Sequence, residues 1–288
     1  MNRARLKAIA RSRLSGSALA AARAAWHALE RADPARLRRA WRHARLNRDA
    51  GADEIVIRDG VRLRIDPRSR EGFEWFCFRS REMAEELDAF MADTRGCQRL
   101  LDVGAFHGIF SLVFAHERPD ARCLALEPSP PAQEVLQVNL RLNANGRSSG
   151  LALALGEREG LLRMRSNWHH LEAVADAAGS EHDVRVPVRS LDALCAERGF
   201  SPDAIKIDVE GFEHAVLRGG QKLLSGTRPL LFLEIHPGRL RELGSSVAEL
   251  LRPLEDMGYV FALSDGRGVR LRDCLAMEDV FRLRCRPR

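Results

Sequence analysis

No run in this 288-residue chain approaches the ~20 consecutive apolar residues that a bilayer-spanning helix needs, so a transmembrane helix is excluded. The six cysteines (Cys77, Cys97, Cys123, Cys195, Cys274 and Cys285) show no CxxC spacing. That argues against a zinc ribbon or a thioredoxin-like site and suits a reducing cytoplasm. GxGxxG, the turn with which dinucleotide folds offer helix amides to a pyrophosphate, is missing. No internal repeat occurs, and aromatic pairs of the RRM type are absent. Lysine is rare: three among 46 basic residues, the rest arginine, a bias of GC-rich bacterial genomes. One of the three, Lys206, stands inside a patterned motif.

What is present is a composition of 45% apolar and 30% charged residues, that of a soluble globular protein. The length fits one domain plus an appendage. Charge is unevenly spread. The first 48 residues hold thirteen Lys/Arg against Glu30 and Asp33, a net of +11, and the remaining 240 carry a net of −5. The sequence pI near 9.4 therefore belongs to an arm and not to the body. In the arm, Ala18, Ala22, Ala25, Trp26 and Leu29 form one apolar stripe. Asp33-Pro34 then restarts a helix, and Leu37, Trp41 and Ala44 form a second stripe among Arg36, Arg38, Arg39, Arg42, Arg45 and Arg48. This reads as an interfacial helix on an anionic membrane or an acidic partner, with a solvated cap or dimer arm as the plainer alternative. An Arg-rich, acid-poor start also resembles a transit peptide. The expected location is the cytoplasm, with the inner membrane face as a peripheral option.

Three segments follow from the texture: a basic helical arm over 1–50, a hairpin and helix over 51–95, and a main domain over 96–288. The hairpin is signalled by alternation around Asp59-Gly60, and a helix is expected over 81–91. Strands over 99–103, 122–126, 151–155, 204–209 and 230–235 alternate with helices over 109–116, 131–143, 191–198, 212–224 and 246–257. A short extra pair falls near 161–165 and 184–188, and further strands near 259–263 and 280–283. Such alternation predicts an α/β, doubly wound, mostly parallel sheet with ligands at the carboxyl ends of the strands.

"LLDVGAFHGIFSLVF" (100–114) is a strand, a glycine turn and a helix start with DxGxxxG spacing, in which Gly104 and Gly108 let the backbone turn tightly and approach a ligand closely. S-adenosylmethionine has no phosphate, so its loop tolerates larger residues such as Phe106 and His107. Glu127 ends the next strand, where a carboxylate can accept both ribose hydroxyls. Gly156 and Glu157 end a third strand and would border an adenine, or form a plain turn.

"IKIDVEGFEH" (205–214) sets Lys206, Asp208 and Glu210 two residues apart, on one face of an expected strand, opposite Ile205, Ile207 and Val209. A cation and two anions there need water, pairing or a chemical role. "LLFLEIHP" places Glu234 and His236 on a shared face of a second strand.

These pieces, with "LEPSP", "NLRLN", "LALGEREG", "VPVRSLDAL", "IKIDVEGFEHAVLRGG" and "RPLLFLEIHP", occur in the order and spacing of the FkbM-type family of S-adenosylmethionine-dependent methyltransferases, which residues 98–240 resemble. The resemblance implies a class I methyltransferase (Rossmann-like) fold, a seven-stranded sheet with its last strand antiparallel. It also implies O-methylation of hydroxyls on polyketides, sugars or glycoconjugates, and cofactor contacts at Asp102, Gly104, Ala105, Gly108 and Glu127. One departure stands out. The family usually carries Asn at the position of Phe106, and a bulky side chain there crowds the methionine end of the cofactor.

In that topology Asp208 and Glu210 lie beside Glu234 and His236, near the transferred methyl. The favoured mechanism has His236 as general base, supported by an acid such as Glu234 and titrating near pH 6.5. Lys206 would hold one of the acids ionised. The less favoured alternative is a divalent metal site drawing on Asp208, Glu210, Glu234 or His236. "SNWHHLEA" (166–173) would cover the acceptor, with Trp168 stacking on it or anchoring the loop. The main reading is an O-methyltransferase for a small molecule or glycan. An RNA methyltransferase using the arm is disfavoured by the absence of a D/N-P-P-Y/F motif, and Phe106 favours a third reading, a catalytically silent scaffold.

Overall fold

Leu101 and Val103 alternate with Leu100 and Asp102 along a strand that is buried on both sides, the mark of a parallel sheet covered by helices on each face. The computed structural model describes residues 34–58, 60–143, 146–167, 170–173 and 183–288. The stripe at 18–29, Asp33, Asp59, Trp168 and His169 lie outside the described residues, as does most of the stretch between 166 and 183 expected to cover the acceptor.

In chain order the elements are α1 (Pro34–Leu46), β1 (Glu54–Arg58), β2 (Val61–Arg64), α2 (Arg70–Glu74), α3 (Arg81–Asp93), β3 (Arg99–Val103), α4 (Ile109–Glu117), β4 (Arg122–Leu126), α5 (Pro130–Asn143), β5 (Ser148–Leu151), β6 (Ala154–Leu155), β7 (Gly160–Asn167), β8 (His170–Ala173), β9 (Asp183–Arg189), α6 (Leu191–Arg198), β10 (Ala204–Ile207), α7 (Glu213–Arg218), α8 (Gln221–Gly226), β11 (Leu230–Ile235), α9 (Pro237–Glu242), α10 (Val247–Asp256), β12 (Tyr259–Leu263), β13 (Gly268–Val269), α11 (Leu271–Leu275) and β14 (Phe281–Pro287). A π-helical turn, Trp75–Arg79, joins α2 to α3.

The main sheet runs β13-β12-β14-β11-β10-β3-β4-β5. Strands β5, β4, β3, β10 and β11 are parallel, and β14 is antiparallel to both β11 and β12. This is the class I methyltransferase arrangement. The sheet has eight strands where seven are expected, because the chain turns at Gly266 and adds the two-residue β13 to the β12 edge. β1 and β2 form the expected hairpin, and β6-β9-β7-β8 form a separate four-stranded sheet.

Two apolar layers hold the main sheet. On one face Leu101, Val103, Ile205, Ile207, Leu231, Leu233 and Ile235 meet side chains of α6, α7 and α10. On the other, Leu100, Ala125, Ala204 and Phe232 meet α3, α4 and the hairpin. Phe90 of α3 lies edge-on to Phe110 at 4.9 Å and to Phe232 at 5.0 Å. Lys206 shares this second, aromatic face.

Three elements differ from the sequence reading. The strand expected over 151–155 divides: β5 stays on the main sheet, while β6 crosses to pair with β9. The helix expected over 212–224 breaks at Gly219-Gly220. A β-carbon on Gly219 would sit 2.2 Å from the Gly156 carbonyl, and the Asp192 carboxylate caps α8 through the amides of Leu223 and Lys222. The strand expected over 204–209 stops at Ile207, since Glu210 and Gly211 take left-handed φ of +52° and +101°. Strict alternation therefore does not carry Glu210 onto the face of Lys206.

Candidate active site

The glycine turn follows β3. Gly104 has φ +77°, and a β-carbon on it would lie 1.7 Å from the backbone oxygen of Asp208. Only glycine lets the loop after β3 touch the loop after β10, so this contact joins the two halves of the site. The amides of Gly104 and Ala105 both donate to the Leu126 carbonyl at 2.9 Å. Phe106, at φ +49°, gives its amide to Glu127 Oε2 at 2.8 Å, and Ser129 gives its amide to Glu127 Oε1 at 2.8 Å. The carboxylate is thus oriented by one donor per oxygen, and each oxygen keeps a lone pair for a further hydroxyl. Burial lifts the Glu127 pKa to about 7, against the lowering effect of the two amides.

Asp102 takes a different part. It is 1% exposed, and its Oδ2 accepts from the Ser111 hydroxyl at 2.6 Å and the Ser111 amide at 3.2 Å, tying α4 to β3. Burial raises its pKa to about 6, with the Ser111 hydrogen bond and the Lys206 charge opposing. The Phe106 ring stacks on His107 at 3.8 Å and 13°. Gly156 donates to the Arg189 carbonyl, and Glu157 lies 3.6 Å from the Arg218 guanidinium, so this turn is pinned to β9 and to α7.

Beyond the glycine turn lies a buried ionic network. Lys206 Nζ, on a side chain 1% exposed, is 3.0 Å from Glu86 Oε1, 3.7 Å from Asp208 Oδ2 and 3.9 Å from Glu234 Oε2. It also stands 5.1 Å from the centre of the Phe110 ring. Burial works against its charge, but Glu86, Asp208 and Glu234 outweigh burial and raise its pKa. Arg282 of β14 bonds Glu86 Oε2 through Nε at 3.0 Å and pairs with Glu234 through Nη2. Asp208 keeps 28% of its side chain exposed. Burial would raise its pKa, yet the Lys206 charge, the neighbouring Glu234 carboxyl and the charges of His236 and Arg282 bring it below the ordinary value. Glu234 moves the other way, to about 8, through burial and the neighbouring Asp208 charge. Of the two, Asp208 is thus the one held towards its carboxylate and Glu234 the one that binds a proton more tightly.

His236 differs from expectation. Its Nδ1 lies 2.8 Å from Glu213 Oε1, Glu213 being wholly buried, and its Nε2 lies 3.4 Å from Glu210 Oε2 and 4.0 Å from Glu234 Oε1. Burial disfavours the imidazolium, but the Glu213 hydrogen bond and the charges of Glu213, Glu210 and Asp208 raise the pKa to about 9. The ring is protonated at pH 7 instead of titrating near 6.5, and its orienting acid is Glu213 in place of Glu234. Likewise Lys206 pairs most closely with Glu86, ahead of Asp208.

Glu86, Glu213 and Arg282 carry no role in the sequence reading, although each leaves a trace. Glu86 interrupts the apolar stripe of Leu87, Phe90 and Met91 on α3, and Arg282 alternates with Phe281 and Leu283 on β14. Glu213 sits in the first turn of α7, where an acid reads as a dipole partner.

Ligand atoms of Asp208, Glu234 and His236 lie within 4.8 Å of one another, three of the four residues the sequence offered for a metal, with Glu210 outside the set. Lys206 and Arg282 already stand against these carboxyl groups, and the His236 ring is held towards its protonated form. That donor set suits a divalent cation less well than a hydroxyl and its proton.

The fold and this site define a class I methyltransferase architecture. The pattern of the methyltransferase FkbM domain matches residues 102–261, and the chain belongs to that family. It is similar to 2-O-methyltransferase NoeI of Sinorhizobium fredii, 28% identical over 45% of this chain and 60% of that protein. It is also similar to AMB antimetabolite synthetase AmbE of Pseudomonas aeruginosa, 29% identical over 49% of this chain but 8% of that much longer protein. Among solved structures, methyltransferase FkbM from Methylobacillus flagellatus superposes at TM-score 0.43 with 18% identity, over 65% of this chain and 43% of that one.

Proposed function

We propose that the protein is an S-adenosylmethionine-dependent O-methyltransferase acting on a hydroxyl of a small molecule, sugar or glycoconjugate. The observation that carries this reading is the fusion of two half-sites at Gly104: the Glu127 carboxylate on one side and the partly exposed, ionised Asp208 on the other. Membership of the methyltransferase FkbM family and similarity to a 2-O-methyltransferase support it.

Asp102, Gly104, Ala105, Gly108 and Glu127 would hold the cofactor, with Glu127 accepting the two ribose hydroxyls. When bound, the cofactor supplies an electrophilic methyl group for in-line displacement. Asp208 orients the acceptor hydroxyl and takes its proton, and Lys206 keeps Asp208 ionised from behind. Glu234, holding its own proton, donates to Asp208, while the His236 imidazolium balances the charge on the alkoxide side.

The test is calorimetry with S-adenosylmethionine, followed by transfer from labelled donor to a panel of hydroxylated sugars. Asp208→Asn should lower turnover by about 10²-fold while cofactor affinity holds. A rate level between pH 6 and 8 supports Asp208, whereas a rate climbing through pH 9 assigns the proton to His236. A folded protein that fails to bind the cofactor at millimolar concentration overturns the reading and leaves a silent scaffold. Activity abolished by exhaustive chelation would shift it to metal-assisted chemistry.

A further inference from the structure

Helix α1 lies outside the residues that match the family, and the methyl-transfer chemistry leaves it without a role. Its inner side is fixed to the body. The His43 ring lies 4.7 Å from that of Phe78, and Asn47 donates to the Val56 carbonyl at 2.9 Å and accepts from the Val56 amide at 2.8 Å. This anchoring sets which side of α1 faces outward, and that side holds exposed Arg38, Trp41, Arg42, Arg45 and Arg48. No acidic residue occurs between positions 34 and 48. Trp41 is 66% exposed with the Arg45 guanidinium 5.5 Å from its ring centre, and Trp75, in the π-helical turn against which α1 packs, is 53% exposed.

An exposed indole within a row of guanidinium groups, with a second exposed indole on the turn that α1 packs against, is costly to leave in water and suited to a headgroup layer. There the rings sit at the boundary with the hydrocarbon, and the cations meet lipid phosphates. We propose that the outer face of α1, together with Trp75, docks this protein on an anionic lipid bilayer. Charge supports the choice of occupant and its orientation. The first 48 residues carry a net of +11 and the remaining 240 a net of −5, so an anionic surface draws in the arm and repels the body. No helix among the described residues is long and apolar enough to cross a membrane, so attachment through α1 is at the surface. Single-stranded nucleic acid would satisfy the arginines and stack bases on the indoles, but the sequence carries no RRM-type aromatic pair, and the experiment below separates the two occupants.

The experiment is sedimentation of the full chain with mixed phosphatidylglycerol–phosphatidylcholine vesicles and with pure phosphatidylcholine. Binding is expected to the anionic vesicles alone, with release as salt shortens the screening length and a blue shift of indole emission on binding. Arg42→Gln/Arg45→Gln should weaken partitioning about thirtyfold, the conversion of ~1 kcal/mol per basic residue. Trp41→Ala should weaken it further and remove most of the blue shift, with thermal unfolding unchanged in both variants. No sedimentation with anionic vesicles, equal binding to neutral ones, or binding indifferent to these α1 substitutions overturns the proposal. A salt-sensitive affinity for an RNA oligonucleotide, lost in the same variants without any vesicle binding, assigns the face to nucleic acid instead.

Discussion

The two halves of the site are built by opposite means. The glycine-turn half relies on backbone: amides of Phe106 and Ser129 aim Glu127, and a missing β-carbon at Gly104 lets the loops meet. Apart from the Asp208 carbonyl that Gly104 meets, all of it lies within about one βαβ unit. The ionic half relies on side chains far apart in sequence, with Glu86 of α3, Lys206 of β10, Glu234 of β11 and Arg282 of β14 sharing one buried volume. A backbone-built half tolerates little change in shape; a charge-built half tolerates little change in charge. The comparison can be broken by exchanging the insult.

The largest effect is expected in the ionic half. Lys206→Met removes a buried cation and leaves Glu86, Asp208 and Glu234 facing one another, which should cost about 3–5 kcal/mol in denaturant unfolding. Glu86→Gln and Arg282→Met, made singly and together, should be strongly non-additive because the two groups share a network. Additive losses would show that they act independently.

Next is Gly104→Ala. The backbone strain of a β-carbon at positive φ is of order 1–3 kcal/mol, before the clash with the Asp208 carbonyl is counted. Cofactor affinity should fall with stability, since both loops must separate; unchanged affinity by calorimetry would disconnect the halves.

A smaller effect is expected from pH. His236, raised from 6.5 to about 9, and Glu234, raised from 4.5 to about 8, both bind a proton more tightly in the folded chain. Their stabilising contributions are complete below the unfolded pKa values and are lost as pH rises through the folded ones. Thermal midpoints should therefore fall from pH 4.5, where Glu234 begins to lose its contribution, to about 9, and His236→Gln should flatten the slope above pH 6.5. A midpoint rising with pH would mean that the network holds its protons differently.

The smallest effect belongs to Phe106→Asn. Asparagine suits φ +49° better than phenylalanine, but the stack on His107 is lost, leaving a net change below about 1 kcal/mol. Cofactor affinity should stay within a few-fold. A large gain would show that the ring obstructs the cofactor.

Much of the fold was legible. The bounds of β3, β4, α6, β11 and β12 follow directly from apolar runs, capping residues and turns. Breaks within elements were less so: the division of α7 from α8 depends on Gly219 meeting Gly156, a contact across the chain that no local pattern announces. In the candidate site, Gly104, Glu127, Lys206, Asp208, Glu234 and His236 stood out as charge or glycine set into apolar strands. Glu86, Glu213 and Arg282 did not, because an acid on a helix and an arginine on an alternating strand read as solvated.

The order of strands and helices, the glycine turn, the basic arm and the acids at the strand ends are all written in local periodicity or spacing. Which groups hold protons more tightly is set by packing. It depends on how deeply Glu234 and His236 are buried and on Lys206, Arg282 and Glu213 arriving from other elements, so a carboxyl is drawn below its ordinary range at Asp208 and pushed above it at Glu234. Desolvation and Coulomb energy act through space, and distance in space is what a linear pattern does not carry.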